Sequence, residues 1–488
     1  MRKTTIVAVF DAPPRTTGVP DAVRAAHWLE LRAEAAGEVD AEWLRARFDG
    51  TLLYSLRARG PDRTARLLRA ARTFDLIDLE PADLTSEVLA AIPPQRRVIS
   101  SDHFTAVSAR LHRIAIAAEE SGDELAAPRL LRSLGRDDVT AWATGPIGLW
   151  TRILAPWLGA PVVFGSANGD NAALGLPSVS RLVENFGFPD LPYVEELFGM
   201  AGDPVLHSLS PKLHNTSYRS LGRAALYVPF HVPDFEKFWT RVAGNGALDA
   251  LGFPLRGLSI VSPHKSAAIN VAKHSSEIVQ HALSTNLVRR NGGDGWLAET
   301  TDAHGIMITL RDRGVQPRGR RAAVIGCGGS GRAMAAALHE AGASVTLVNR
   351  GEERGSLAEN LLHLPYVPLT DFDCDGYSIV VNATPVGRNG DGLPFPVQQL
   401  RRDAVVVDLV YRDGPTALIE RTRGPGRITI DGWDMLMAQA RHQFELMTGL
   451  EMPDDLIRQT LGLEQWRTGN PACPVSRQAG LPVLHVSE

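Results

Sequence analysis

The chain has 488 residues, 44% of them apolar and 22% charged, and 55 acidic against 51 basic side chains give a net charge of −4. This composition indicates a folded globular protein of about three domains and excludes a surface built for nucleic acid or anionic membrane. Three cysteines without metal-ligand spacing exclude a disulfide framework, and no apolar run reaches the ~20 residues of a membrane helix. We therefore expect a cytoplasmic protein, a monomer or homodimer, with a small-molecule substrate and neither nucleic-acid nor membrane partners.

Residues 1 to about 190 alternate short apolar runs with longer amphipathic stretches. The runs TTIVAVF, GTLLYSL, FDLIDLE, RRVIS, HRIAIA and APVVFG predict strands, and the stretches DAVRAAHWLELRAEA and PDRTARLLRAART have a helical pattern. Repeated strand–helix units indicate a parallel sheet, either an open doubly wound fold or a (β/α) barrel. Prolines and glycines near residues 186–199 predict a domain boundary.

A second α/β region follows, from about 195 to 304, and a third begins with RRAAVIGCGGSGRAMAAALHEAGASVTLVNR. That segment predicts a strand, a tight turn, a helix and a second strand, in which a pyrophosphate can rest on the helix N-terminus. The predicted cofactor-binding residues of this turn are Gly326, Gly328, Gly329, Ser330 and Gly331. The second strand ends in Asn349 and Arg350 where an NAD site usually carries an acidic residue, and a guanidinium suits a 2′-phosphate, so NADP is favoured. Prolines, small polar residues and a lack of periodicity predict disorder at 467–488.

The 51 basic residues include only five lysines, which are Lys3, Lys212, Lys237, Lys265 and Lys273. Arginine bias is the ordinary explanation for this scarcity. Whatever its cause, chemistry that needs a primary amine is excluded between Lys3 and Lys212, because a guanidinium stays protonated.

From about 199 to 465 the chain resembles shikimate dehydrogenases through several motifs in order. These are GDPVLHSLSPKLHN (202–215), SPHK (262–265), TTDAHG (300–305), GCGGSGRA (326–333), NR (349–350), NATPVG (382–387), DLVY (408–411) and GWDMLMAQARHQFE (432–445). The resemblance implies an α/β substrate domain, a Rossmann domain that binds NADP, and C-terminal helices that return to the substrate domain.

Ketone reduction by a nicotinamide needs a proton source near the carbonyl oxygen, and a lysine beside a carboxylate can supply one. We expect Lys265 at a helix start and Asp302 in a turn after the strand WLAETT, and the family's catalytic pair matches these two residues. The resemblance further implies that Ser208, Ser210 and Tyr411 lie near the substrate carboxylate and that Asn286 and Gln439 contact the substrate. It places Asn382, Thr384 and Pro385 beside the nicotinamide.

Three positions depart from the family pattern around the substrate. Val261 replaces the usual threonine of the lysine motif, which removes a hydroxyl from the polyol pocket at a typical cost of ~1–3 kcal/mol. Thr300-Thr301-Asp302 stands for the usual Asn-Thr-Asp, and Thr285-Asn286-Leu287 for the usual Asn-Thr. The catalytic pair is intact, but the choice between shikimate, quinate or a relative stays open.

Residues 1–190 resemble type I 3-dehydroquinate dehydratases, which are (β/α) barrels fused to shikimate dehydrogenase in plants and some bacteria. The matching segments are LELR (29–32), LLYSLRARG (52–60), VISSDHF (98–104), RIAIAAEESGDEL (113–125) and TGPIGLWTRILAPWLGAPVVFGS (144–166). They imply a site remnant at Glu30, Arg32, Arg57, His103, Arg113 and Arg152, the last being the carboxylate-binding arginine.

The signature Schiff-base lysine of that family falls at Arg113, which cannot form an imine with a ketone. The family's His-Asp order reads Asp102-His103, and its late Pro-Gly-Gln loop reads Leu-Gly-Leu (174–176). We therefore expect a barrel-like domain that has lost dehydratase chemistry. The segment is shorter than usual for the family, so the sequence leaves open whether all eight barrel units are present.

The resulting hypothesis is an α/β protein in which an NADP-dependent shikimate dehydrogenase is fused to a degenerate dehydratase-like barrel. The predicted domains are a barrel at 1–192, a substrate domain at 195–304 plus 434–466, a Rossmann domain at 305–433 and a tail at 467–488. Three alternatives remain: a fully bifunctional enzyme, a quinate/shikimate dehydrogenase, and a non-enzymatic sensor of shikimate-pathway metabolites. No metal site is predicted.

Overall fold

A computed structural model describes residues 2–12 and 20–462. The predicted tail at 467–488 lies outside the described residues. The chain divides into two compact units, Met1–Leu255 and Arg256–Glu488.

The first unit contains a sheet of eight parallel strands in the order β8-β7-β6-β5-β4-β3-β2-β9. Its strands are β2 (Thr5–Phe10), β3 (Trp28–Arg32), β4 (Thr51–Ser55), β5 (Leu76–Leu79), β6 (Arg97–Ser101), β7 (Leu111–Ile116), β8 (Val139–Ala143) and β9 (Val162–Ser166); a short β1 (Arg2–Lys3) precedes them. The Thr140 hydroxyl donates to the Val162 carbonyl oxygen at 3.2 Å and joins the two outer strands. The sheet is thus a nearly closed barrel, which confirms the predicted architecture.

Helices connect most of these strands. They are α1 (Ala33–Ala36), α2 (Ala41–Arg45), α3 (Arg63–Ala70), α4 (Ser86–Ala91), α5 (Ala126–Leu134), α6 (Leu149–Leu154) and α7 (Val179–Phe186). Between β6 and β7, by contrast, the described chain contains no helix. The barrel therefore has all eight strands, although the connection between β6 and β7 lacks a helix.

Apolar side chains fill the interior of the barrel. One buried cluster joins residues from seven of its strands with Leu176, and it includes Val7, Leu53, Leu76, Val98, Leu111, Trp142 and Phe164. Burying each such side chain stabilises the fold by ~1.5–3 kcal/mol.

Two predictions of local structure in this region need correction. The helical pattern of DAVRAAHWLELRAEA is wrong at Trp28–Arg32, which forms strand β3, as the match of LELR (29–32) to a strand of the dehydratase family implied; strand β8 at Val139–Ala143 was not predicted. Pairing of β3 with β2 and β4, and of β8 with β7, outweighs local preference, because strand formation depends strongly on tertiary context.

The rest of the first unit is a second α/β element. A two-residue strand, β10 (Asp190–Leu191), pairs antiparallel with β1. Strands β11 (Glu196–Gly202) and β12 (Ala225–His231) pair in parallel, and α8 (Ser210–Ser220) connects them. Helices α9 (Phe235–Phe238) and α10 (Ala247–Ala250) follow.

The second unit begins with a mixed sheet in the order β13-β15-β16-β14. Its strands are β13 (Leu255–Ile260), β14 (His274–Ser275), β15 (Leu287–Arg290) and β16 (Trp296–Glu299). Helix α11 (Glu277–Ala282) lies between β14 and β15, and α12 (Thr301–Asp312) follows β16.

A six-stranded parallel sheet in the order β19-β18-β17-β20-β21-β22 completes the second unit. Its strands are β17 (Arg321–Ile325), β18 (Ser344–Asn349), β19 (Tyr366–Pro368), β20 (Ile379–Asn382), β21 (Val405–Asp408) and β22 (Thr429–Ile430). The helices of this part are α13 (Gly329–Glu340), α14 (Glu352–Leu362), α15 (Ala417–Thr422), α16 (Gly432–Thr448) and α17 (Asp454–Thr460). In chain order the strands run 3-2-1-4-5-6, the Rossmann order, as predicted.

Alternate residues of β17 face opposite sides of this sheet. Ala322 and Val324 belong to one buried cluster, together with residues of α12, α13 and Met435 of α16, and Ala323 and Ile325 belong to another. Both faces are therefore covered, as parallel sheets require.

Candidate functional site

Lys265 and Asp302 form an ion pair in the second unit. The Lys265 Nζ donates to Asp302 Oδ2 at 2.5 Å, and the two side chains are 17% and 4% exposed. Lys265 lies in the turn that precedes a short 3₁₀ helix, Ala267–Val271. Asp302 is the second residue of helix α12, not part of a turn as predicted, because the helix begins directly after β16.

Two predicted substrate residues hold the other carboxylate oxygen of Asp302. Gln439 of α16 donates to Asp302 Oδ1 at 2.8 Å, and Asn286 donates to the same oxygen at 3.2 Å. Asn286 also accepts from the Thr301 backbone N–H at 2.7 Å. These contacts orient the carboxylate so that Oδ2 faces the lysine, and four of the predicted site residues therefore meet at one place.

Helix α16 brings Gln439 to this cluster. One turn further on, Gln443 accepts from the Ser259 hydroxyl at 2.6 Å and donates to the Asn286 carbonyl at 3.3 Å. Gln443 is not among the predicted site residues, although its i+4 spacing from Gln439 puts both on one helix face.

The glycine-rich turn is shaped for close approach of a ligand. Gly326 has a φ of +106°, and a Cβ on Gly331 would lie 1.8 Å from the Gly326 carbonyl oxygen. Gly328 precedes α13 without a side-chain cap, which leaves the first N–H groups of the helix for an anion. The residues present thus fit a dinucleotide pyrophosphate.

Asn349 and Arg350 lie at the end of β18, beside the glycine-rich turn. The Asn349 carboxamide accepts from the Cys327 N–H at 3.2 Å and donates to the Gly351 carbonyl at 2.7 Å, so it stabilises the turn. Arg350 is exposed, and Arg354 in the first turn of α14 is exposed as well.

The loop after β20 is organised by a buried carboxylate. Asn382 donates to Asp408 Oδ1 at 2.9 Å and accepts from the Thr384 backbone and hydroxyl at 3.0 and 2.7 Å. Asp408 also accepts from the Thr416 hydroxyl at 2.5 Å, and burial raises the pKa of Asp408. Pro385 is exposed on this loop. Asp408 belongs to the quoted DLVY motif, but its role as the anchor of Asn382 appears only in the structure.

Three further predicted substrate residues do not bond to Asp302 in the described contacts. The Tyr411 ring packs 5.4 Å from Trp433 in the second unit, and burial raises the pKa of Tyr411. Ser208 and Ser210 belong to the first unit, where Ser210 begins α8 and its N–H donates to Ser208 Oγ at 3.2 Å.

The residues predicted for the barrel site are dominated by ion pairs. Arg113 donates to Glu30 Oε1 at 2.7 Å, to Ser100 Oγ at 2.7 Å and to Asp78 Oδ2. Burial by itself raises the pKa of Glu30, but Arg113 and then Arg32 outweigh this effect and lower it to about 2. The side chains of Arg113, Glu30 and Asp78 are all less than 5% exposed, so Arg113 is fixed in a buried network.

A cavity of about 580 Å³ opens beside this network. Arg32, Arg57, Arg113 and Arg152 line it together with Asp102. Arg152 stacks 4.3 Å from the Trp142 ring centroid and donates to the Gly175 carbonyl at 3.2 Å; burial and then the charges of Arg32 and Arg113 lower its pKa to about 9. His103 is 68% exposed and pairs with Asp102 at 2.5 Å.

Two histidines stack between α12 and α16. The rings of His304 and His442 lie 3.6 Å apart at 17°, and burial and then the neighbouring His442 lower the pKa of His304 to about 4, against a weaker opposing effect of Glu445. Arg311 also faces this pair and lowers the pKa further, and His442 lies 3.6 Å from Glu445.

We expect acid to destabilise this helix pair. An unfolded histidine binds its proton near pH 6.5, whereas folded His304 binds one only near 4, so the unfolded state holds more protons in between. The free energy of unfolding should therefore fall as the pH drops from about 6.5 to 4, and less steeply in His304→Gln. Urea unfolding across this range measures the slope. The same change at the exposed His339 is the control, and an unchanged slope in His304→Gln would contradict the assignment.

Within residues 2–12 and 20–462, no group of three or more His, Cys, Asp or Glu side chains could hold a metal ion. No helix in the same part of the chain is long and apolar enough to cross a bilayer.

Segments of both units match known family models. Residues 200–288 match the family model of the shikimate dehydrogenase substrate binding domain, and 432–461 match that of the shikimate 5′-dehydrogenase C-terminal domain. Residues 101–189 match the type I 3-dehydroquinase model.

Individual relatives agree with these matches. The NADP(+) shikimate dehydrogenase of Rubrobacter xylanophilus is 36% identical over 279 residues, which cover 55% of this chain and 96% of that protein. The chloroplastic bifunctional 3-dehydroquinate dehydratase/shikimate dehydrogenase of Arabidopsis thaliana is 30% identical, with 65% of this chain and 55% of that protein covered. Among solved structures, shikimate 5-dehydrogenase from Listeria monocytogenes in complex with shikimate and NAD has a TM-score of 0.50 and 26% identity over 55% of this chain and 96% of that one. The chain therefore belongs to the shikimate dehydrogenase family, and it carries, ahead of that part, a segment related to the type I 3-dehydroquinases.

Proposed function

We propose that this protein is an NADP-dependent shikimate dehydrogenase that interconverts 3-dehydroshikimate and shikimate. The observation that carries the proposal is the partly buried Lys265–Asp302 pair at 2.5 Å, with Ser330 of the dinucleotide turn 2.8 Å from the same ammonium. A proton-handling pair beside a dinucleotide turn is the arrangement that carbonyl reduction requires.

In the reducing direction the bound NADPH supplies a hydride to the ketone carbon. The carbonyl oxygen must then gain one proton, so that 3-dehydroshikimate, NADPH and a proton give shikimate and NADP⁺. Lys265 is the group that delivers this proton or holds the developing alkoxide, and Asp302 keeps the ammonium in place. Gln439 and Asn286 fix Asp302 from its other oxygen and so keep the pair aligned.

The assay that tests this function is NADP⁺ reduction by shikimate, by quinate, and with NAD⁺ in place of NADP⁺. We expect shikimate and NADP⁺ to be the preferred pair. Val261, half-buried after β13, provides no hydroxyl to the polyol pocket, so quinate oxidised as fast as shikimate would assign the chain to the quinate/shikimate alternative. No reduction with either acid would refute the dehydrogenase proposal and leave the sensor alternative.

We propose that Arg350 selects NADP over NAD by binding the 2′-phosphate of NADP. A hydrogen bond to a charged group contributes ~1.5–3 kcal/mol, so Arg350→Ala should weaken NADPH binding by roughly 10- to 100-fold. NADH binding should change little, because NADH has no 2′-phosphate. Nucleotide fluorescence titration measures both dissociation constants. Arg401→Ala, at an exposed arginine paired with Asp403, is the control, and equal losses for NADPH and NADH would contradict the role.

For the barrel we propose a retained binding cavity without imine chemistry. The amine of the dehydratase site is replaced by Arg113, whose guanidinium is bonded to Glu30, Ser100 and Asp78. In contrast, the Nη atoms of Arg152 have no carboxylate partner among the described residues, which leaves a buried positive charge at the cavity for a carboxylate ligand. Full bifunctionality remains the alternative.

Borohydride trapping decides between these two. We expect the purified full chain, treated with 3-dehydroquinate and borohydride, to show no mass increase, because only an amine can form the reducible imine. No 3-dehydroshikimate should form before the reductant is added. Dehydrogenase activity of the same sample controls for folding. A 3-dehydroquinate-dependent adduct on any lysine, or steady dehydration, would establish the bifunctional alternative.

A cytoplasmic location, a monomeric or homodimeric state and the four domain boundaries stay predictions.

A further inference from the structure

Ser330 connects the dinucleotide turn to the proposed catalytic ammonium. Its hydroxyl oxygen accepts from Lys265 Nζ at 2.8 Å, while the same Nζ donates to Asp302 at 2.5 Å. Ser330 is the second residue of α13, a twelve-residue helix whose N-terminus forms the proposed pyrophosphate site. A serine hydroxyl has one donor and two acceptor positions, so Ser330 keeps its own O–H for a phosphate oxygen while it accepts from the lysine.

The lysine segment is held tightly against this helix. A Cβ on Gly329 would lie 3.0 Å from Lys265 Cβ and 3.1 Å from its Cδ, so the lysine stem contacts the turn directly. Arg332, only 7% exposed, donates to the Ser266 hydroxyl at 2.8 Å and to the Leu283 carbonyl at 2.9 Å. These contacts fix the backbone of the lysine segment against α13 without Ser330. The Ser330 hydroxyl contacts only the ammonium at the end of the lysine side chain.

We propose that Ser330 is a positioning residue that makes dinucleotide binding and substrate binding cooperative. This inference rests on the proposed dehydrogenase function. When a pyrophosphate oxygen accepts the Ser330 O–H, the hydroxyl is fixed in the orientation that accepts from Lys265, and chained hydrogen bonds strengthen one another. The Lys265 ammonium is then held in the position from which it can donate to the substrate oxygen. Without the dinucleotide, the Ser330 hydroxyl can rotate and holds the lysine less firmly.

Calorimetry with shikimate and NADPH tests this role without turnover. Both ligands are the reduced partners of the reaction, so no hydride can pass between them and they form a dead-end complex. The dissociation constant of shikimate is measured with and without saturating NADPH. We expect NADPH to tighten shikimate binding in the wild type by roughly 5- to 150-fold, and shikimate to tighten NADPH binding by the same factor. In Ser330→Ala the factor should fall to about one, and Ser330→Thr, which keeps a hydroxyl, should restore it.

Ser266→Ala is the matched control, because Ser266 contacts α13 through Arg332 but not through the lysine ammonium. It should keep the wild-type factor. Independent binding of the two ligands in the wild type, or full cooperativity in Ser330→Ala, would overturn the role of Ser330. A wild type that binds neither ligand would instead refute the proposed dehydrogenase function, so the two failures are distinguishable.

Discussion

Lys265→Ala should lower kcat for shikimate oxidation by roughly 10²- to 10⁴-fold, the range that a positioned acid–base group contributes. The ammonium lies between Asp302 at 2.5 Å and Ser330 at 2.8 Å, and among the described residues no other lysine takes part in this cluster. Alanine removes the proton donor and leaves Asp302, 3% exposed, without its cation. Steady-state kinetics with NADP⁺ and shikimate measures the loss.

Two comparisons make this result specific. Lys273→Ala changes an exposed lysine that pairs with Asp294 in the same unit, and it should keep wild-type kcat. NADP⁺ affinity of Lys265→Ala, measured separately, should change far less than kcat, because the backbone N–H groups of the glycine-rich turn and Arg350 provide the main proposed contacts to the dinucleotide. Equal rates for Lys265→Ala and the wild type would end the assignment of this residue as the proton donor.

Arg113→Ala should lower the free energy of unfolding of the barrel by about 3–5 kcal/mol, the usual cost of breaking a buried ion pair from one side. The substitution leaves Glu30, fully buried, and Asp78, 2% exposed, without the guanidinium that bonds to both. Glu30 Oε2 already has no hydrogen-bond partner among the described residues, so the carboxylate has little other compensation. Urea unfolding followed by the fluorescence of the barrel tryptophans measures the change.

The ion pair also gives this effect a pH dependence. The pKa of Glu30 is about 2 in the folded barrel and near 4.3 in an unfolded chain. Its stabilising contribution is therefore present above about pH 4.3 and is lost as the pH falls towards 2. The difference in the free energy of unfolding between the wild type and Arg113→Ala should therefore shrink as the pH falls from about 4.3 towards 2.

Arg136→Ala, which breaks an exposed pair with Asp138 in the same barrel, is the control and should have a much smaller effect. An Arg113→Ala barrel as stable as the wild type would contradict a structural role for the network. That result would mean that the ion pairs of Arg113 do not stabilise the barrel.

Arg113, at the position where the family resemblance predicts a Schiff-base lysine, also has a structural role in the barrel. A lysine has a single ammonium, whereas the planar guanidinium donates in several directions at once, here to Glu30, Asp78 and Ser100. Ser100 and Arg113 are paired in register on β6 and β7, so their side chains emerge on the same side of the barrel wall. We infer that the arginine stabilises the barrel at the place where the dehydratase family performs chemistry.

The sequence predicted elements reliably where hydrophobic periodicity and turn residues agreed. The strand–turn–helix–strand unit from β17 to β18 formed as expected, because its glycines, buried strands and alanine-rich helix all favour the same structure. Strand β3 was misread as helix because its leucine, glutamate and arginine are also good helix formers. Only pairing with β2 and β4, formed from distant parts of the chain, determines its conformation.

The sequence by itself determined which chemical groups this protein has: Lys265 and Asp302 in two of the dehydrogenase-like motifs, a glycine-rich turn, and no lysine between Lys3 and Lys212. Only the tertiary structure decided which groups meet. Gln439 reaches Asp302 across 137 residues, Ser330 reaches Lys265 across 65, and Arg113 reaches Glu30 across 83. The physical reason is that a hydrogen bond needs its two atoms within about 3 Å. Residue types and local spacing cannot specify that distance between distant segments, and the packing of the completed fold does.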